Sequence, residues 1–184
     1  MDPISQACFG AGLSQSFADS KTRQFSALII GALAGMAPDL DVLINSTEDP
    51  LLFLEYHRQF SHSLAFIPIG ALLCTFCFYP FINHRWIGKK SPAPELGFAR
   101  IYLFSFLGYA THGLLDACTS YGTQLFWPFS DYRFAWNVVS IIDPLFTVPL
   151  LILIALAAFR NRRRYARYAF AYAVLYLSLG LVQY

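Results

Sequence analysis

Charge is scarce in this chain. Asp, Glu, Lys and Arg make up only 13% of its 184 residues, against 57% that are hydrophobic. A soluble domain of this length has too little interior to hide so much apolar surface, and the mean hydropathy of +0.48 agrees. Lipid must cover part of it. The four cysteines form no framework. Cys74 and Cys77 stand among Leu72, Leu73, Phe76 and Phe78, where packing explains them better than redox chemistry, and Cys8 and Cys118 match no pairing pattern. The sequence also lacks a glycine-rich phosphate loop, a Ser-His-Asp motif and any internal repeat. Arg160, Arg162, Arg163, Arg164 and Arg167 adjoin an apolar stretch, which marks them as a topological anchor meeting anionic lipid, so no nucleic-acid partner is expected.

What the chain does hold is apolar length. Five segments approach the roughly 20 residues that cross a bilayer: 25–44, 64–82, 98–118, 138–159 and 165–184. The second and fourth are long enough to span unaided. The first is interrupted by Pro38, which removes a backbone donor, so its far end is expected within the protein. Residues 3–18 are mildly apolar with no basic flank, and read as a retained interfacial or packed helix, not a cleaved signal. The expected fold is all-α, a polytopic helical membrane protein with four to five transmembrane segments, forming one domain over residues 1–184.

Basic residues set the expected orientation. Lys21 and Arg23, then Arg85, Lys89, Lys90 and Arg100, then the Arg160 to Arg167 group, fall between alternate segments and belong in the cytoplasm, together with His84. The loops 45–63 and 119–137 carry Glu48, Asp49, Glu55 and Asp131 with only Arg58 and Arg133 as bases, and face outward. The amino terminus is then cytoplasmic.

On that map Asp39, Asp41, His57, His62, His112, Asp116 and Asp143 all lie toward the outer side. An unpaired carboxylate at the bilayer centre costs roughly 2.5 to 3.5 kcal/mol, so four could cost on the order of 10 kcal/mol, as much as a typical fold's whole stability. A bound cation compensates them most directly. His112 and Asp116 are four apart and share one helix face. Asp39 and Asp41 follow Pro38, where an extended turn lets both carboxylates converge and share or bridge ions. With the imidazoles of His57 and His62, the expected ligand set is Asp39, Asp41, His57, His62, His112 and Asp116, holding one or two divalent ions, zinc or manganese. Catalytic roles are expected for Asp41 at the water, Arg58 at a phosphate, and Asp143 as a further ligand or as a partner orienting a histidine. The plainer readings are an interhelical polar contact for His112 and Asp116, a helix cap for Asp39, and an exposed loop for His57 and Arg58.

Residues 121–137 gather Phe126, Trp127, Phe129, Tyr132, Phe134 and Trp136 with Gly122 and Pro128. Such a loop sits at the headgroup level and borders the expected cavity, which points to membrane lipid as a partner and a lipid-like substrate.

These motifs, taken in order, resemble a known family. Met1-Asp2-Pro3-Ile4, Pro38-Asp39-Leu40-Asp41, His57-Arg58 before Ser61-His62-Ser63, and Thr111-His112-Gly113-Leu114-Leu115-Asp116 running into Thr119-Ser120-Tyr121-Gly122-Thr123 and Trp127-Pro128-Phe129-Ser130 are similar to the bacterial inner-membrane, metal-dependent hydrolases named after YdjM, also described as LexA-regulated. The resemblance implies a multi-pass inner-membrane protein and a hydrolase label that rests on the ligand pattern, with no substrate attached. The expected function is hydrolysis of a phosphoester or ester of an amphiphile. A metal-ion or proton-coupled transporter is the alternative, and a catalytically silent scaffold the third. Oligomeric state stays open.

Overall fold

The computed structural model describes residues 1–19, 24–44, 48–49, 56–83 and 96–183. Among these the architecture is all-helical, with no strand. Six α-helices run in the order α1 (Pro3–Ser16), α2 (Gln24–Met36), α3 (Ile67–Asn83), α4 (Phe98–Ala117), α5 (Pro144–Arg160) and α6 (Arg163–Gln183), with 3-10 turns at Ala37–Leu43 and Phe60–His62.

Two helices start the same way. Asp2 precedes Pro3 and its Oδ1 accepts from the amides of Ile4 and Ser5 at 3.1 and 3.0 Å. Asp143 precedes Pro144 and its Oδ1 accepts from Leu145 and Phe146 at 3.0 and 3.2 Å. Each carboxylate satisfies amides that a helix start leaves unpaired, while the proline supplies the ready-made φ of the first turn. The two starts are neighbours, since the Asp2 amide donates to Ile141 O at 3.0 Å.

The 3–18 stretch becomes α1, a packed central helix against α2, α4, α5 and α6. Glycines permit the tightest crossings. A Cβ added to Gly10 would stand 2.6 Å from Gly31 O, so α1 and α2 meet backbone to backbone. Apolar residues around this axis, including Phe9, Leu115, Phe146, Leu150 and Ile154, form the main core.

Beside its apolar core the bundle buries an unusual set of polar residues and exposes many apolar ones. Gln6, Gln15, Arg58, His62, His112 and Asp116 are buried, whereas Phe76, Leu145, Ile152, Phe159, Leu175 and Val182 are exposed. Exposed apolar surface on this scale is rare on a soluble monomer. Among the described residues two stretches, Gln24–Leu43 and Arg163–Val182, are long and apolar enough to cross a membrane, each 20 residues. The segments expected to span unaided, 64–82 and 138–159, form α3 and α5 of 17 residues each, about 25 Å of helix, because turn and cap residues take up their first positions. They count as shorter apolar helices, Ile67–Ile82 and Pro144–Arg160.

One pair of expectations separates here. The buried amino group of Met1 pairs with Asp116, so the amino end and the His/Asp cluster occupy the same end of the bundle. A cytoplasmic amino terminus and an outward cluster therefore do not hold together. The reason is α1, which runs back through the bundle antiparallel to α2 and does not lie on the cytoplasmic surface. The expected basic residues Lys21, Arg23, Arg85, Lys89 and Lys90, together with His84 and Glu55, fall outside the described residues.

Candidate metal centre

Pro38 ends α2 and turns the chain into the 3-10 segment Ala37–Leu43. With three residues per turn, positions two apart point in different directions. Asp39 and Asp41 therefore do not converge as an extended turn would allow. They straddle one imidazole: Asp39 Oδ1 lies 3.5 Å from His62 Nε2, and Asp41 Oδ2 lies 3.3 Å from His62 Nδ1.

His62 closes the second 3-10 turn and His112 comes from α4, where the spacing to Asp116 places both on one face. The approach of turn and helix depends on Gly113, because a Cβ there would collide with the His62 carbonyl. Four atoms then converge. The Nε2 atoms of His62 and His112 are 2.9 Å apart. His112 Nε2 stands 3.2 Å from Asp39 Oδ1 and 3.5 Å from Asp116 Oδ2, and His62 Nε2 lies 3.4 Å from the latter. Around an ion with bonds of about 2.0 to 2.2 Å, neighbouring ligand atoms stand about 3.0 Å apart in an octahedron and about 3.4 Å in a tetrahedron. The observed separations match that shell.

The hydrogen bonds behind the ring have the same sense. His112 Nδ1 faces Gly35 O at 2.6 Å, and a carbonyl only accepts, so Nδ1 carries the hydrogen and Nε2 of the neutral ring presents a lone pair. His62 Nδ1 faces Ser61 Oγ at 3.0 Å as well as Asp41. Burial alone would lower the His62 pKa, yet hydrogen bonds to Asp116, Asp39 and Asp41 outweigh it and raise it to about 10. Asp116 Oδ2 is buried without an aligned hydrogen bond, although Arg58 Nε lies 3.3 Å away. Its other oxygen accepts from Gln6 Nε2 at 2.9 Å and from the Met1 amino group. Two imidazole nitrogens and two carboxylate oxygens thus face one point. Asp39, His62, His112 and Asp116 could hold a divalent metal ion.

Asp41 and His57 stand beside this group, not within it. Asp41 Oδ1 binds His57 Nδ1 at 2.8 Å, and Oδ2 accepts from the Arg58 amide and Ser61 Oγ, each at 3.0 Å. Arg58 is buried, with a left-handed φ of 62°, its guanidinium 3.4 Å from Thr119 Oγ1 and 5.1 Å over the Tyr121 ring. Gln124 donates to Arg58 O at 3.1 Å and Leu64 to Leu125 O at 2.9 Å, which ties the aromatic loop to the site. Asp143 is placed differently from the expected ligand or histidine partner. One oxygen caps α5 and the other accepts from Tyr176 Oη at 2.8 Å.

Sequence reasoning passed over Gln6, Gly35 and Gly113. Gln6 had a signal, as a lone amide inside an apolar helix. Gly35 had a weaker one, since the last carbonyls of a helix lack internal donors and Pro38 ends this one.

The family model described as "YdjM inner membrane protein" matches residues 1–184. Inner membrane protein YbcI of Escherichia coli (strain K12) is 33% identical over 138 residues, covering 73% of this chain and 70% of that protein. Uncharacterized protein YfhP of Bacillus subtilis (strain 168) is 27% identical over 131 residues, 71% of this chain, and the match spans only 36% of its length. No solved structure matches. The match along its whole length and the 33% identity to YbcI place this chain in the YdjM inner membrane protein family.

Proposed function

We propose that this protein is a membrane-embedded, metal-dependent hydrolase acting on a phosphoester or ester of an amphiphile at the outer face of the bacterial inner membrane. The observation that carries the reading is the convergence of His62, His112, Asp39 and Asp116 on one point while the Asp39 side chain keeps 28% of its surface exposed. A purely structural site would be sealed on every side. Asp39, His62, His112 and Asp116 would hold one divalent ion, and manganese, which takes more ligands than the protein offers here, would suit hydrolysis better than zinc.

Bound there, a divalent ion would supply Lewis acidity and bring the pKa of water toward neutrality. The protein's own groups do the rest. His57, held at Nδ1 by Asp41 and with its side chain 18% exposed, is the group suited to accept a proton from the attacking water. Asp41 acts by fixing His57 and His62. Arg58 contributes a guanidinium for a phosphoryl oxygen, and its left-handed backbone, a cost of order 1–3 kcal/mol, fits a position kept for function. Exposed Tyr121, Phe129 and Tyr132 give an amphiphile an apolar approach.

In this reading α2 to α6 cross the bilayer around α1. The Arg160 to Arg167 end faces the cytoplasm, and the cluster faces outward with Met1 beside it. The test is turnover of lipid phosphoesters by manganese-loaded protein in detergent. His57→Gln should lower turnover by about 10²-fold or more while metal is retained. An inactive protein that releases its ion across proteoliposomes down a gradient would instead establish the transporter.

A further inference from the structure

The end of the bundle remote from the metal cluster carries an electrostatic conflict. Helix α6 opens at Arg163 with no acidic residue in its first turn. A helix start already bears partial positive charge, and cations there are unfavourable. Arg163 and Arg167 are four apart, so two like charges share one face. Arg160, Arg162 and Arg164 crowd the same turn. Arg164 leans on Tyr165, its NH2 3.2 Å from the hydroxyl. Asp19 is committed to Arg100 at 2.6 Å. Among the described residues no carboxylate pairs with Arg163 or Arg167. Five arginines so close together at a helix start suit an anion.

A space for one is present. Ser16, Phe17, Arg163, Arg167 and Phe170 line a cavity of about 380 Å³ where the end of α1 meets the start of α6. Its lining combines two arginines and a serine with two phenylalanines. Phe170 is fixed by stacking on Phe9 at 6.1 Å, and Phe17 is exposed. A bare phosphate has no use for the rings. The ten helical steps of α1 from Gln6 to Ser16 put this cavity about 15 Å from the metal cluster along the axis, so the two sites are separate.

We infer that this cavity seats the headgroup of an anionic phospholipid, with the phosphate between Arg163 and Arg167 and the glycerol end of its chains on Phe17 and Phe170. Two basic side chains at an anionic membrane surface carry enough interaction for a preference of about fivefold or more over a zwitterionic lipid. The lipid would enter from the bilayer and lock α1 to α6.

The test uses the full chain in detergent micelles doped with phosphatidylglycerol or phosphatidylcholine. Retained lipid is counted by native mass spectrometry, and unfolding temperature is read alongside. Phosphatidylglycerol should be retained in preference and should raise the unfolding temperature. Arg163→Gln with Arg167→Gln should erase the preference, while the charge-matched pair Arg160→Gln with Arg164→Gln should keep it. Equal retention of both lipids, or equal loss in both double variants, would overturn the proposal. So would displacement of the lipid by inorganic phosphate at equal concentration, which would identify a site for free phosphate. The count on the unaltered protein decides the matter where a variant fails to fold.

Discussion

His62 and His112 meet nearly edge to face, their Nε2 atoms 2.9 Å apart and their rings inclined by 73°. Each ring is fixed from behind, His62 by Asp41 and Ser61, His112 by the Gly35 carbonyl. Two imidazoles on different elements thus aim at one point beside two carboxylates. Partners of this kind set ring orientation and basicity, and losing one typically costs 10- to 100-fold in metal affinity.

Asp41→Asn should show that effect. The amide keeps the shape of the carboxylate and loses its charge, so His62 and His57 are both less firmly held. Metal affinity should fall by about 10- to 100-fold with the fold intact, measured by competition with a chelating dye and by circular dichroism. An unchanged affinity would remove Asp41 from the support of the site.

Gly113→Ala tests the approach of the turn to α4. The added methyl would collide with the His62 carbonyl, and relief requires the turn to move off the helix. A loss of about 1–3 kcal/mol is expected, read as a lower unfolding temperature in detergent together with weaker metal binding. Gly97→Ala is the control, since a Cβ there meets nothing within 4 Å.

Asp143→Ala separates the cap from a ligand. Removing the carboxylate should destabilise the start of α5 by about 0.5–2 kcal/mol and leave bound metal at its original stoichiometry. Loss of metal without loss of stability would restore Asp143 to the site.

Arg58→Lys keeps a positive charge near Asp116 but gives up the planar fork suited to phosphate. Metal content should hold while turnover of phosphoesters falls about tenfold or more, with KM raised more than kcat is lowered. Equal turnover would exclude Arg58 from substrate binding.

Much of this site was legible in the residues. The spacing of His112 and Asp116 needed only helical geometry, and Pro38 announced the break that follows α2. The abundance of apolar residues indicated a membrane protein, and the family that matches the whole chain is named for one. The rest turned on facts that spacing does not carry. Asp39 and Asp41 point apart because the backbone after Pro38 winds as a 3-10 segment. Gln6 and Met1 reach Asp116 only because α1 runs through the middle of the bundle, a matter of packing between elements over a hundred residues apart. Asp143 is the instructive miss: Asp143-Pro144 repeats the cap pattern of Asp2-Pro3, but among so many apolar neighbours its charge drew attention to chemistry before helix termination.

The most direct measurement is metal content by mass spectrometry on detergent-purified protein, comparing the unaltered chain with Asp39→Ala and His112→Ala. The account predicts near-stoichiometric manganese or zinc in the first and its loss in both variants, with the fold retained by circular dichroism. A folded, unaltered protein that holds no metal after supplementation would contradict it.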